Sequence, residues 1–199
     1  MNLENMKNNS SVVLLLIFII GLFYLAFFWD GKIDFFSVSS FNEKNLYAKF
    51  QSLSTSGNSS CSKDFSDSIS SGQAPSRLQG SCCSPMSWHR YEEQIQGLTK
   101  YKNVKEIPQD PYDIDSTLAK KLKDHYDDKL TPQQQKAYDF AMNNSDEKGP
   151  CCCKCWRWYV YGGLAKFLIK EKGFTGQQVT EVWNLSDGCG GEGDHANHG

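Results

Sequence analysis

Four cysteines stand within five positions of the chain, in the segment GPCCCKCWRW at residues 149–158. Cys151, Cys152, Cys153 and Cys155 precede an apolar stretch with helical periodicity. Free backbone N–H groups and the helix dipole at the start of a helix favour a thiolate over a thiol. A thiolate both binds soft metal ions and attacks disulfides, so the position indicates thiol chemistry without choosing between these two uses.

Three further cysteines and one histidine are candidates for the same site. Cys82 and Cys83 are adjacent near the predicted start of the folded domain, and Cys189 is near its end. His89 would add an imidazole to these thiols. Such donors suit Cu(I) and Zn(II), and copper is preferred because thiols outnumber imidazole and carboxylate donors. The predicted metal ligands are Cys82, Cys83, His89, Cys151, Cys152, Cys153, Cys155 and Cys189.

Two other uses of the cysteines stay open. The chain has eight cysteines, and an even number in an oxidising compartment is typical of a disulfide-stapled structural or interaction domain. Against this, adjacent cysteines bond to each other only with strain. Cys152 and Cys155 form a C-x-x-C pair before a helix, as in thiol–disulfide exchange proteins, although the chain lacks the alternating strands and helices of a thioredoxin-like domain. Metal binding is the main interpretation, and these two are its alternatives.

The cysteine segment also resembles a known motif. PCCCKC at residues 150–155 is similar to the P-C-x-C-x-C core of the proteins named for a PCYCGC motif, an uncharacterised family of small, exported, membrane-attached bacterial proteins. Pro150, Cys151, Cys153 and Cys155 match that core, while Cys152 replaces its aromatic residue and Lys154 its glycine. The resemblance covers six residues. It implies export, thiol chemistry and metal binding, and it names no substrate.

The elements that must position these cysteines are predicted to be helices. Apolar residues recur at helical spacing in about five short segments between residues 82 and 190, with no convincing strand, so we expect a small all-α domain. The predicted segments are WHRYEEQIQGL after Ser87, TLAKKLKDHYDDKL after Asp115 or Ser116, QQQKAYDFAMNN after Thr131 and Pro132, the core helix from Trp156 to Leu168 ended by Gly173, and GQQVTEVWNL.

An apolar run precedes this domain. Residues 11–29 carry no charge and are long enough to cross a bilayer as a helix, so we predict a leader at residues 1–10 and a transmembrane anchor at residues 11–30. Cleavage near SVSS at residues 37–40 is the alternative. Residues 31–81 are predicted to be a juxtamembrane segment and a flexible Ser/Gly-rich linker, and residues 191–199 a Gly/His tail.

Charge and cysteine usage bound the location and the partners. The chain has 21 basic and 23 acidic side chains, and these totals do not indicate the broad basic surface that nucleic acid requires, so we do not expect nucleic acid as a partner. Every cysteine lies after residue 60, which favours an extracytoplasmic domain on a single-pass membrane protein. We expect a metal ion and the membrane as partners, and the protein partner is unknown. No Ser-His-Asp order, phosphate loop or zinc-protease helix points to an enzyme.

Overall fold

A computed structural model of the chain describes residues 35–191, with side chains from residue 43 onward. The predicted leader and anchor and the histidines of the tail lie outside these residues. Within residues 35–191, no helix is long and apolar enough to span a membrane. The chain divides into two units, residues 1–45 and 46–199. The N-terminal half of the first helix belongs to the first unit, and all the other described elements belong to the second unit.

The described residues are mainly helical, which confirms the predicted fold class at that level. They form seven α-helices and two three-residue strands. In chain order these are α1 (Phe35–Ser56), α2 (Lys63–Ser71), β1 (Arg77–Gln79), α3 (Trp88–Leu98), β2 (Asp113–Asp115), α4 (Ser116–Asp124), α5 (Pro132–Asn144), α6 (Trp156–Lys172) and α7 (Gly176–Ser186). Two turns of 3-10 helix, Thr99–Tyr101 and His125–Asp127, extend α3 and α4.

Helix α6 is the centre of the molecule, as its periodicity predicts. It is buried on nearly all sides, from Trp156 at its first turn to Ile169 near its end. Helices α2, α4, α5 and α7 all pack against it. Gly173, with φ of 68°, ends it in the left-handed conformation that glycine adopts without strain.

Two adjacent glycines let α4 approach α6 closely. A Cβ on Gly163 would lie 1.9 Å from the carbonyl oxygen of Leu122, and one on Gly162 would lie 2.8 Å from the ring of Tyr126. Real side chains do not reach such distances. The Gly162–Gly163 pair is therefore what allows the backbone of α4 to lie directly against α6.

The predicted helix starts are largely confirmed. Thr131 caps α5 and Thr175 caps α7, each in a reciprocal capping box with a glutamine three residues later. Asp115 caps α4 by accepting a hydrogen bond from Leu118 N at 3.0 Å. Helix α4 is shorter than predicted, because its last turn tightens into the 3-10 segment His125–Asp127.

The segment predicted as a flexible linker is structured instead. Residues 52–81 contain the end of α1, all of α2 and strand β1. Ile69 of α2 and Leu78 of β1 are 1% and 0% exposed, and Leu53 of α1 is buried in a second apolar cluster with Tyr91. The segment is rich in serine but contains a few apolar residues, and the burial of these residues orders it. The folded domain therefore begins well before Cys82.

The two strands form the one sheet of the described residues. Strand β1 pairs antiparallel with β2, which sets Leu78 opposite Ile114 with both side chains buried. Arg77 and Lys49 both form ion pairs with Asp113, at 2.8 and 3.0 Å. The sheet therefore fixes the chain immediately before the first pair of cysteines.

Candidate metal centre

The sulfurs of all eight cysteines form one continuous cluster. They come from four segments of the chain that are distant in sequence, and each sulfur lies within 3.9 Å of at least one other. The sulfur–sulfur distances are 2.9 Å for Cys152–Cys189, 3.0 Å for Cys151–Cys189, 3.3 Å for Cys61–Cys83, 3.7 Å for Cys82–Cys83 and Cys83–Cys152, 3.8 Å for Cys83–Cys153 and Cys61–Cys153, and 3.9 Å for Cys151–Cys155.

These distances can be compared with those of known sulfur chemistry. All eight cysteines are free thiols, whereas sulfurs joined in a disulfide would be about 2.05 Å apart. A tetrahedral zinc ion with Zn–S bonds of about 2.3 Å holds its sulfurs about 3.8 Å apart. Most of the distances in the cluster lie near that value, and the shorter ones involve Cys189 and the Cys61–Cys83 pair. The arrangement is compatible with metal binding and also with disulfide or redox roles.

The cluster has a buried end and an exposed end. Cys151, Cys155 and Cys189 are 1%, 4% and 0% exposed. At the other end, Cys83 and Cys152 are exposed. The remaining three cysteines are half-buried. The sulfurs therefore run from the core of the domain to its surface.

Cys61 is held by the turn between α1 and α2. Asn58 in this turn bonds to strand β1 through its side chain, which donates to Arg77 O at 3.0 Å and accepts from Gln79 N at 2.9 Å. The indole of Trp156, in the first turn of α6, donates to Ser59 Oγ at 3.2 Å. The turn is thus tied to β1 and to α6, which brings Cys61 beside the cysteines that follow β1 and those that precede α6.

Cys83 and Cys189 lie on neighbouring backbones. The carbonyl oxygen of Cys189 accepts hydrogen bonds from the backbone N–H groups of Cys83 and Ser84, at 3.3 and 2.9 Å. A Cβ on Gly190 would lie 2.1 Å from Ser84 O, so only glycine permits this approach. The C-terminal segment is therefore laid directly along the segment that carries Cys82 and Cys83.

The four clustered cysteines occupy a loop rather than a helix. Cys151 to Cys153 lie in bends, and Cys155 is the N-cap residue of α6 with extended backbone. The C-x-x-C pair of Cys152 and Cys155 therefore does not span a helical turn. Each of these two sulfurs contacts other cysteines instead: Cys152 contacts Cys83 and Cys189, and Cys155 contacts Cys151.

A buried arginine joins the segments that carry the cysteines. Arg157, in the first turn of α6, is 0% exposed and donates to Gly80 O at 2.9 Å and to Pro111 O. Gly188 lies flat against the guanidinium, because a Cβ there would be 2.1 Å from Arg157 Nη1. Arg157, which lies two residues after Cys155, therefore contacts the chain just before Cys82 and just before Cys189.

The thiols influence each other's protonation. Hydrogen bonds from Cys151 and Cys82 lower the pKa of Cys155 and outweigh the opposite effect of its burial. The hydrogen bond with Cys155 in turn raises the pKa of Cys82 to about 12. Burial is the main cause that raises the pKa of Cys61. Hydrogen bonds with neighbouring thiols are the main cause that raises the pKa values of Cys151, Cys153 and Cys189. Without metal, these pKa shifts favour the thiolate form at Cys155 and the thiol form at Cys61, Cys82, Cys151, Cys153 and Cys189.

No family model, curated protein or solved structure matches this chain. The function must therefore be inferred from the donors themselves. The structure brings together every cysteine that the sequence analysis proposed as a ligand. His89 is exposed on α3 and belongs to none of the potential ligand groups among residues 35–191.

One member of the cluster was missed from the sequence. Cys61 lies in the serine-rich segment whose composition predicts a linker. A local signal was present nonetheless, because Ser62 caps a helix in which Phe65 and Ile69 are four residues apart and after which Gly72 follows. A helix starting one residue after Cys61 would have indicated a fixed position for this thiol.

Among the described residues, four groups of three cysteine sulfurs lie within 4.8 Å of one another, and these groups overlap. Two of them share no residue and together contain six of the eight sulfurs: a first set of Cys61, Cys153 and Cys155, and a second set of Cys83, Cys152 and Cys189. Cys151 contacts Cys155 of the first set and Cys189 of the second. Cys82 likewise forms a hydrogen bond with Cys155 and contacts Cys83. The donors thus suit two or more ions that share ligands.

Proposed function

We propose that the protein binds soft metal ions, Cu(I) or Zn(II), in a polynuclear thiolate cluster, and that it serves metal capture, delivery or resistance. The observation that supports this proposal is the convergence of eight sulfurs from four segments of the fold. An all-sulfur donor set favours soft ions over Mg²⁺ or Ca²⁺, which take oxygen ligands.

The connectivity of Cys83 favours metal over a disulfide framework. Its sulfur lies within 3.8 Å of four others, those of Cys61, Cys82, Cys152 and Cys153. A sulfur in a disulfide has one sulfur partner, so three of these contacts would serve no bond. A thiolate that bridges metal ions places several sulfurs at such distances around it. The disulfide and redox alternatives remain as outcomes of the experiment below.

We further propose that this cluster lies outside the cytoplasm on a single-pass membrane anchor. The support is in the sequence: the uncharged run at residues 11–29 and the absence of cysteine before residue 60. The similarity of residues 150–155 to the PCYCGC motif supports the same location.

Native mass spectrometry of the full chain, purified anaerobically in detergent, tests the proposal. The wild-type chain is expected to carry at least two metal ions. Its thiols should react with an alkylating reagent only after a chelator has removed these ions. The double substitution Cys153→Ser with Cys155→Ser should lose at least one ion, because it removes two of the three sulfurs of one set. His89→Ala is the matched control and should keep full metal content, because His89 lies outside the cluster.

Two results would contradict the proposal. A metal-free chain whose mass is lower by two hydrogens for each cysteine pair would show that the sulfurs form disulfides. Unchanged metal content in the double cysteine variant would show that the bound ion lies elsewhere.

A further inference from the structure

A cavity of about 510 Å³ adjoins the thiol cluster. It lies between α2, the 3-10 turn after α4, and the start of α6, and Cys61 and Cys155 are part of its wall. Pockets that hold small organic ligands usually measure about 300–1,000 Å³. The space is thus large enough for a small molecule beside the sulfurs.

The cavity is next to one of the two sets of sulfurs. Cys61 and Cys155 belong, with Cys153, to the first set, in which the sulfurs lie within 4.8 Å of one another. Cys155 is only 4% exposed, and the cavity is where this buried cysteine borders open space. A metal complex in the cavity would therefore sit against two of the three donors of that set.

The charges around the cavity favour an anion. Lys63, Lys123 and Lys154 line it with Asp67 and Asp127, a formal excess of one positive charge. Lys63 is already paired with Asp67. In the ion pairs found among residues 43–191, neither of the other two lysines takes part.

The two remaining lysines are held by uncharged groups. Lys123 Nζ donates to the carbonyl oxygen and the hydroxyl of Ser66, at 3.1 and 3.2 Å, and its partial burial lowers the pKa of the ammonium group. Lys154 Nζ lies 5.8 Å from the centre of the Trp158 ring. Both ammonium groups can therefore gain from an anionic ligand that enters the cavity.

We propose that the cavity receives the metal as a small anionic complex, an ion held by a carboxylate-bearing chelator, and that Cys61 and Cys155 take the ion from it. This inference rests on the proposed metal-binding function. The step is ligand exchange: bonds between the metal and the chelator break one after another as bonds form to the sulfurs of Cys61 and Cys155 and then to neighbouring sulfurs of the cluster, such as that of Cys153. The proton of the attacking thiol passes to the released chelator or to water, and the metal keeps its oxidation state.

Zinc transfer from two donors of similar shape and opposite charge tests the inference. The donors are the zinc complexes of nitrilotriacetate, which is anionic, and of tris(2-aminoethyl)amine, which is cationic. The reduced full chain in neutral detergent is mixed with each donor in a stopped-flow instrument at low salt. Lys123→Gln with Lys154→Gln should slow transfer from the anionic donor about tenfold and leave transfer from the cationic donor unchanged or faster, because local positive charge steers anions.

The control removes the same charge elsewhere. Lys105→Gln with Lys136→Gln changes two exposed lysines that do not line the cavity, and it should leave both rates unchanged. Because Lys123 also bonds to α2, the single substitution Lys154→Glu provides a second variant, and it should slow the anionic donor alone. In every variant, the final amount of bound zinc should equal that of the wild-type chain.

The failures of the two proposals are distinguishable. A wild-type chain that takes zinc from neither donor would overturn the metal-binding function itself. A chain that binds zinc fully, while the cavity variants slow both donors equally or slow neither, would overturn only the assignment of the cavity.

Discussion

At the scale of single residues, the least expected feature is a fully buried cation beside the sulfurs. The guanidinium of Arg157 satisfies two backbone carbonyls, and it lies against the glycine before Cys189. A metal ion that binds more thiolates than its own charge is an anion, and an anion buried in a protein needs a compensating charge. Arg157 is placed to supply that charge as well as to fix the segments.

Substitutions of Arg157 separate these two roles. Arg157→Met removes the charge and both hydrogen bonds, and Arg157→Lys keeps the charge but cannot bridge Gly80 O and Pro111 O with one ammonium group as a guanidinium does. We expect metal affinity, measured by competition with a chelator, to fall at least tenfold in the methionine variant, or about 1.4 kcal/mol. The lysine variant should recover most of that affinity.

Apo stability provides the control for this pair. Urea unfolding of the metal-free chains should show that both variants are destabilised, because both lose hydrogen bonds to buried carbonyls. If metal affinity instead follows apo stability in both variants, the charge of Arg157 plays no part and the residue only holds the segments in place.

At the scale of the elements, periodicity and capping residues predicted most of what forms. Helices α3, α5, α6 and α7 begin within a residue of the positions expected from Ser87, Thr131, Trp156 and the Gly176 segment. These signals depend only on neighbouring residues, so they can be recognised in a single sequence. Strand β1 was not predicted, because it is ordered by contacts with distant residues such as Asn58. Helix α2 was not predicted, because the serine-rich composition of its segment outweighed the local signals at Ser62 and Gly72.

The same limit applies to the site. The thiol content and the compact group at residues 151–155 are visible in the sequence. The convergence of Cys61, Cys83 and Cys189 depends on backbone pairing between segments far apart in the chain. Spacing cannot show such pairing, so the sequence revealed seven of the eight sulfur donors but neither their contacts nor their grouping.

A glycine on α6 gives a prediction in which packing opposes propensity. In an ordinary helix interior, Gly→Ala stabilises by about 1 kcal/mol. Gly163→Ala should instead destabilise the domain by about 2–3 kcal/mol, because the new methyl group would meet the carbonyl of Leu122 and push α4 away from α6. The free energy of unfolding in urea, measured on the metal-free chain, gives the value.

Gly173→Ala is the control at the end of the same helix. Nothing lies within 4 Å of the position of its Cβ, so it should cost only the left-handed backbone conformation, about 1–2 kcal/mol. A stabilised Gly163→Ala variant would mean that α4 and α6 do not approach each other as closely as described.

At the scale of the whole molecule, the cluster can stabilise the fold by connecting its ends. It joins the turn before α2, the segment after β1, the loop before α6 and the segment after α7. An ion that binds only the folded chain adds about 4 kcal/mol to the free energy of unfolding when its free concentration is a thousandfold above its Kd. Metal content and global stability should therefore change together.

Acid also weakens the fold through Asp113, independently of any loss of metal. Burial alone would raise the pKa of Asp113, but hydrogen bonds from Arg77 and Lys49 outweigh it and lower the pKa from 3.8 to about 2. A carboxyl group with a depressed folded pKa stabilises the fold above its unfolded pKa, and this contribution is lost as the pH falls toward the folded value. Asp113 therefore leaves stability unchanged between pH 8 and 5.5 and weakens the fold below about pH 4.

The stabilisation by zinc, which is the difference in unfolding free energy with and without the ion, should decrease steadily from pH 8 to pH 5.5. Each thiolate that binds metal must first lose a proton, and most thiols of the cluster hold their protons tightly, as the pKa of about 12 for Cys82 illustrates. Urea unfolding at fixed total zinc measures this difference, and the metal-free chain serves as its reference across the same range. Asp113→Asn removes a contribution that is constant between pH 8 and 5.5, so this variant should be less stable by the same amount with and without zinc and should show the same decrease in zinc stabilisation as the wild-type chain. A zinc stabilisation that stays constant down to pH 5.5 would show that the ion does not bind through thiolates.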